Sequence, residues 1–167
     1  MAKSVYITTA EPHCGKSLIC LGIIDYVLRR TRKVTYFKPI IYNNKKNKKD
    51  RNINLLIEHF GLDQQYEEAY AFSLEEAQSL ISSGQTNKLL DRIIQKYKVL
   101  EKKSDFVLIE GTDFVAEGSA FEVGINIHVA KNLGSPVLLI GRGDLGRSIQ
   151  EVLSPLQLAI ESYHEQD

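Results

Sequence analysis

The sequence predicts a three-layer α/β domain built on a mainly parallel sheet, and three observations lead there. Four short runs, VYITT, VTYFKP, FVLIEG and PVLLIG, are almost continuously apolar, the pattern of strands covered by helices on both faces. Segments with helical spacing of apolar residues separate these runs, and strand-helix alternation means βαβ units. The length, 167 residues, suits one domain with its own core, so a single domain over 1–167 is expected.

In chain order, strands are expected at Lys3–Thr9, Val34–Lys38, Asp105–Glu110 and Pro136–Gly141. Lys16–Arg30 is apolar almost all round, as a helix packed on the sheet would be, and it runs into the basic residues Arg29, Arg30, Arg32 and Lys33 that suit a helix C-terminus. Ser73 followed three residues later by Glu76 reads as a capping box that opens a helix stopping near Gly84. Leu89, Leu90, Ile93, Ile94, Tyr97 and Leu100 recur at helical spacing within Thr86–Lys103. Ala120–Leu133 followed by Gly134 is a further helix, and Asp144 is placed to cap a last one from Leu145, bent or interrupted at Pro155. NNKKNKKDRN, Asn43–Asn52, reads as a solvated, mobile loop, since nothing aromatic is interleaved for stacking on bases.

Composition narrows the function classes. Hydrophobic residues at 43% and charged residues at 25% are ordinary for a globular chain. Lys and Arg number 21, as do Asp and Glu, so no net field draws in nucleic acid or an anionic membrane, and a small ligand or protein partner is expected instead. Cys14 and Cys20 are too close in sequence for a disulfide framework and fit a reducing cytoplasm. The apolar stretch Val5–Ala10 is too short for a signal peptide, and no run approaches the ~20 apolar residues of a membrane span. A soluble, cytoplasmic protein is the expectation.

TAEPHCGKS, Thr9 to Ser17, supplies the parts of a phosphate-binding loop in order. A strand ends, a turn follows, and a helix begins whose N-terminal amides continue the nest. Gly15 lets the backbone pass close to phosphate oxygen, Lys16 reaches the terminal phosphates, and the Ser17 hydroxyl is offered to Mg²⁺. The loop's usual first glycine is absent, with Thr9 and Ala10 where it could stand. A carboxylate, Glu110, ends a later apolar strand and is placed to hold Mg²⁺ directly or through water. His13 and Cys14 receive no chemistry, since loop positions that contribute amides tolerate many side chains; a redox-sensitive Cys14 would require Lys16 and the helix N-terminus to lower its pKa. Arg142-Gly143-Asp144 reads as a turn and cap.

With this loop, Phe37-Lys38-Pro39 and Ile109-Glu110-Gly111 in view, the chain resembles dethiobiotin synthetase. That family has a P-loop NTPase fold, is usually a homodimer, and closes a ureido ring on a diamine using CO₂, ATP and Mg²⁺. The resemblance spans nearly the whole chain through a handful of short motifs. It implies that Thr9 stands at the family's first glycine and that Glu11 corresponds loosely to its acidic loop residue. Lys38 corresponds to the lysine that handles the substrate carbamate, Asp50 to a metal-binding aspartate, and Glu110 to the Walker B-like glutamate. The implied nucleotide set is Thr9, Glu11, Gly15, Lys16, Ser17 and Leu18; the implied metal set is Ser17, Asp50 and Glu110, and Lys38 is catalytic only in a ligase.

Departures from that family are specific. Ile40-Ile41-Tyr42-Asn43 follows Lys-Pro where the family places Ser or Thr and Gly, and Thr112-Asp113-Phe114 follows Glu-Gly in place of a glycine-rich turn. The chain also stops at Asp167, before the strand and loop that hold adenine in the family. Glu75–Gly111, with Asn126, Ala130 and Lys131, looks more like the dethiobiotin-synthetase-like N-terminal domain of long-form phosphate acetyltransferases, implicated there in regulation and assembly, with acetyl transfer carried by a separate domain. That resemblance implies a regulatory module of a longer protein that binds ATP or another nucleotide weakly, with Mg²⁺. The alternatives are an ATP- and Mg²⁺-dependent ligase and a scaffold that binds nothing.

Overall fold

The computed structural model describes residues 2–42, 49–112 and 119–164. In chain order the elements are β1 (Lys3–Thr9), α1 (Lys16–Leu28), β2 (Val34–Phe37), β3 (Ile40–Ile41), α2 (Arg51–Phe60), a 3₁₀ turn (Tyr66–Glu68), β4 (Phe72–Ser73), α3 (Leu74–Ser82), α4 (Thr86–Lys103), β5 (Phe106–Glu110), α5 (Ser119–Leu133), β6 (Val137–Ile140) and α6 (Ile149–His164). β2, β5, β1 and β6 lie side by side in that order as one parallel sheet, and β3 and β4 form a small parallel pair.

The apolar runs of β1, β2 and β5 are explained by burial on both sides, whereas β6, at the edge of the sheet, leaves Val137 and Leu138 exposed, contrary to the expectation for PVLLIG. Tyr6, Phe37, Val107 and Ile109 face one way, into a core shared with Leu89, Ile93 and Tyr97 of α4 and with Ile125 and Val129 of α5. Ile7, Val34, Tyr36 and Leu108 face the other way, toward Cys20 and Ile24 of α1 and Ile53 and Leu56 of α2. Alternate residues on each strand thus meet different helices, and both sets have to be apolar. The result is the three-layer αβα arrangement that the strand-helix alternation predicts.

The predicted capping box is present: Ser73 Oγ accepts from the Glu76 amide while the Glu76 carboxylate accepts from the Ser73 amide. Thr86–Lys103 is helical throughout. The other differences have local causes. β2 stops at Phe37, because Lys38 donates its amide to Ala69 O instead of a strand partner. α1 ends at Leu28 and is less enclosed than its composition suggests, with Leu18 and Tyr26 exposed. The last helix begins at Ile149: Ser148 and Glu151 form its capping box, whereas Asp144 pairs with Arg142. Pro155 lies inside that helix without ending it.

The charged segment after β2 contains an element that the sequence reading missed. Residues 43–48 lie outside the described residues, but Arg51 and Asn52 already belong to α2. Its apolar positions Ile53, Leu56, Ile57 and Phe60 fall at i, i+3, i+4 and i+7. Gly61 closes it at φ 58°, the left-handed conformation of a helix C-terminus.

Candidate phosphate- and cation-binding site

Strand register brings the sequence motifs to one edge of the sheet. Ile7 pairs with Glu110, Phe37 with Ile109 and Thr9 with Ile140, so all four parallel strands finish at the same edge, with β1 and β6 reaching two residues beyond Glu110. Parallel sheets place ligand sites outside such carboxyl ends.

The loop after β1 turns through two left-handed residues, His13 at φ 60° and Gly15 at φ 75°. Gly15 is the N-cap of α1 and no side chain caps that helix, so the first-turn amides face the loop uncapped. Lys16 is buried and its Nζ donates to Gly111 O at 2.5 Å, crossing from the loop to the residue after β5. Leu18 is exposed on α1, with its amide bonded to Gly15 O. Cys14 donates its thiol to Glu11 O, and burial pushes the thiol up, opposite to the direction that redox sensitivity would need.

Glu11 turns to the β6–α6 connection. Its carboxylate accepts a bidentate pair of bonds from Arg147 at 2.9 and 3.0 Å, and those bonds hold it below its ordinary pKa. Arg147 also donates to Arg142 O.

Beneath the loop lies a buried polar network. Glu110 is fully enclosed and accepts from the Tyr36 hydroxyl. Lys38 Nζ stands 3.1 Å from Asp50 Oδ2 and 3.7 Å from Glu110 Oε1. Asp50 caps α2, its Oδ1 accepting from the amides of Asn52 and Ile53. Asn52 reaches Ser17 Oγ at 2.7 Å and Glu110 Oε1 at 3.1 Å. Burial, with the Glu110 charge alongside, raises both the Tyr36 hydroxyl and the Cys20 thiol well above their ordinary ranges, so both stay protonated.

Gly111 is fixed by packing. A Cβ there would stand 2.8 Å from Asn126 Oδ1 and 3.1 Å from Ile7 O. Asn126 in turn accepts from Tyr6 and from the Thr112 amide, holding the chain after β5 in place.

The structure thus gathers Gly15, Lys16, Ser17, Lys38, Asp50 and Glu110, with Thr9 at the end of β1, and it directs Glu11 and Leu18 elsewhere. Sequence reasoning missed Tyr36, Asn52 and Arg147. The apolar stripe of α2 would have located Asn52; nothing local singles out Tyr36 or Arg147. Asp113 and Phe114 lie outside the described residues. Among the described residues, no group of three or more His, Cys, Asp and Glu is placed to hold a metal, and no helix is long and apolar enough to cross a membrane. The oxygens gathered here are the Ser17 hydroxyl and the Glu110 and Asp50 carboxylates, hard donors of the kind Mg²⁺ accepts.

Comparison with known proteins agrees with this loop and sheet, the AAA_26 family of AAA domains matching residues 3–164. The chain belongs to that family. It is 44% identical over 99% of its length to a phosphate acetyltransferase of Nitratidesulfovibrio vulgaris and 42% identical over 99% to one of Synechocystis sp.. It spans only 23% and 24% of those relatives. An ATP-dependent dethiobiotin synthetase of Clostridium perfringens is 25% identical over 92% of this chain, which covers 71% of that protein. The kinase domain of Escherichia coli tyrosine kinase ETK shares the fold, with a TM-score of 0.58 at 15% identity, covering 98% of this chain and 63% of that one.

Proposed function

We propose that this chain is a nucleotide-binding regulatory domain of a longer, cytoplasmic phosphate acetyltransferase, folded as one unit over 1–167, with acetyl transfer carried by a part of the protein outside it. The observation that carries this reading is the convergence of Gly15, Lys16 and Ser17 with Glu110 at one sheet edge. High identity to two phosphate acetyltransferases, of which the chain makes up about a quarter, supports the parent. In this reading the α1 amides and Lys16 cradle the phosphates, and the nucleotide shares Thr9 and the neighbouring loop. Ser17 and Glu110, with Asp50 nearby, would hold Mg²⁺, which would supply charge neutralisation of the phosphates. Lys38 would be catalytic only in a ligase, a reading that rests on the likeness to dethiobiotin synthetase.

Calorimetry with ATP and Mg²⁺ tests the reading. Weak binding that Lys16→Ala abolishes is expected, together with no turnover of the biotin precursor diamine. Equal binding by Lys16→Ala would overturn it, and turnover dependent on Lys38 and Glu110 would establish the ligase instead.

A further inference from the structure

Asn52, in the first turn of α2, joins two groups from different elements. Its Nδ2 donates to Ser17 Oγ at 2.7 Å and to Glu110 Oε1 at 3.1 Å. Glu110 Oε1 accepts and only the nitrogen of an amide donates, so Nδ2 faces Glu110. That nitrogen therefore bridges the same hydroxyl and carboxylate that a divalent cation would bridge. Asp50, two residues earlier, is already engaged by the α2 amides through Oδ1 and by Lys38 through Oδ2.

We propose that Asn52 is the third arm of the cation site and sets its strength. Without a cation its amide nitrogen ties Ser17 to Glu110. With a cation the amide presents Oδ1, since only the oxygen of an amide ligates a hard cation. That oxygen carries no formal charge, and Lys38 at 3.7 Å offsets part of the charge of Glu110. The site consequently holds Mg²⁺ weakly until a nucleotide adds its own phosphate oxygens. Asn52 thereby makes cation occupancy conditional on nucleotide, and it carries that occupancy to the N-terminus of α2.

The inference rests on the phosphate-loop reading, and the two fail separately: ATP titrated in EDTA reports on the loop, whereas Mn²⁺ titrated without nucleotide reports on Asn52. Free Mn²⁺ is measured by electron paramagnetic resonance with the full chain, Asn52→Asp and Asn52→Ala, each checked by thermal melting. Asn52→Asp is expected to bind Mn²⁺ at least ~10-fold more tightly, because a formal negative charge is added beside Glu110 at a partly buried position, where water screens it less than at the surface. Asn52→Ala is expected to bind more weakly than the parent. Asn52→Asp no tighter than the parent, or Asn52→Ala equal to it, overturns the proposal. Should either variant fail to fold, the unaltered protein decides: the Asn52 side-chain amide resonances should shift as Mg²⁺ and ATP are added together, and resonances that stay put at saturation overturn it as well.

Discussion

The Lys38 ammonium and the Asp50 carboxylate meet at 3.1 Å inside the protein, each side chain only 5% exposed. Asp50 does two jobs at once, since its other oxygen caps α2. Breaking a buried pair by removing one partner costs ~3–5 kcal/mol, and losing a cap ~1 kcal/mol. Glu110 at 3.7 Å from Lys38 softens the first cost. Asp50→Ala is therefore expected to destabilise by about 3 kcal/mol. Asp50→Asn keeps a good cap and loses only the charge, so urea unfolding should rank it between the parent and Asp50→Ala. Equal losses for the two variants would show that the pair, and not the cap, matters here.

Gly111→Ala is predicted to injure both fold and site. The added methyl would meet Ile7 O and Asn126 Oδ1, neither of which can withdraw without breaking strand or side-chain bonds. Overpacking of this kind costs ~1–3 kcal/mol. The Gly111 carbonyl is also the acceptor for Lys16 Nζ, so displacement should weaken nucleotide binding beyond what the lower melting temperature explains. Unchanged melting would contradict the packing argument.

Glu11 and Arg147 join the phosphate loop to the turn before α6. Glu11 has a lowered pKa in the folded state, caused first by the hydrogen bonds from Arg147. A depressed carboxyl contributes stability that is fully present above its unfolded value, ~4.3, and that is lost as pH falls through the lower folded value. The stability gap between the parent and Glu11→Gln should thus be constant from pH 7 to about 5 and should close below ~4. A gap independent of pH down to strong acid would mean that the ion pair contributes nothing. The pair straddles the surface, so added salt should narrow the gap too.

The sheet was readable from the sequence because VYITT, VTYFKP and FVLIEG are buried on both faces, leaving few other arrangements for so much apolar surface. Gly15, Lys16, Ser17 and Glu110 were readable because backbone geometry at strand ends restricts the residue types there. Asn52 was not, because its role comes from the packing of α2 against β2 and α1, which brings three separate segments together. The lysines and asparagines before α2 also hid its amphipathic stripe. Arg147 was invisible for a similar reason: 136 positions separate it from Glu11.

The two cysteines should separate cleanly in reactivity. Cys20 is completely buried, and burial together with the charge of Glu110 raises its thiol well above the ordinary range. The thiolate is the reactive form, so Cys20 has neither access nor ionisation. Cys14 is partly accessible in the phosphate loop, but burial raises it as well, and its hydrogen is given to Glu11 O. At pH 8, iodoacetamide is expected to label Cys14 more slowly than a free thiol and to label Cys20 only after denaturation, as peptide mass analysis would reveal. A nucleotide on the loop should slow Cys14 further in the parent and not in Lys16→Ala, because its phosphates would lie against the backbone beside the thiol. Faster labelling of Cys14 than of a free thiol would mean that Lys16 and the α1 N-terminus outweigh burial, and protection that survives in Lys16→Ala would move the nucleotide off this loop.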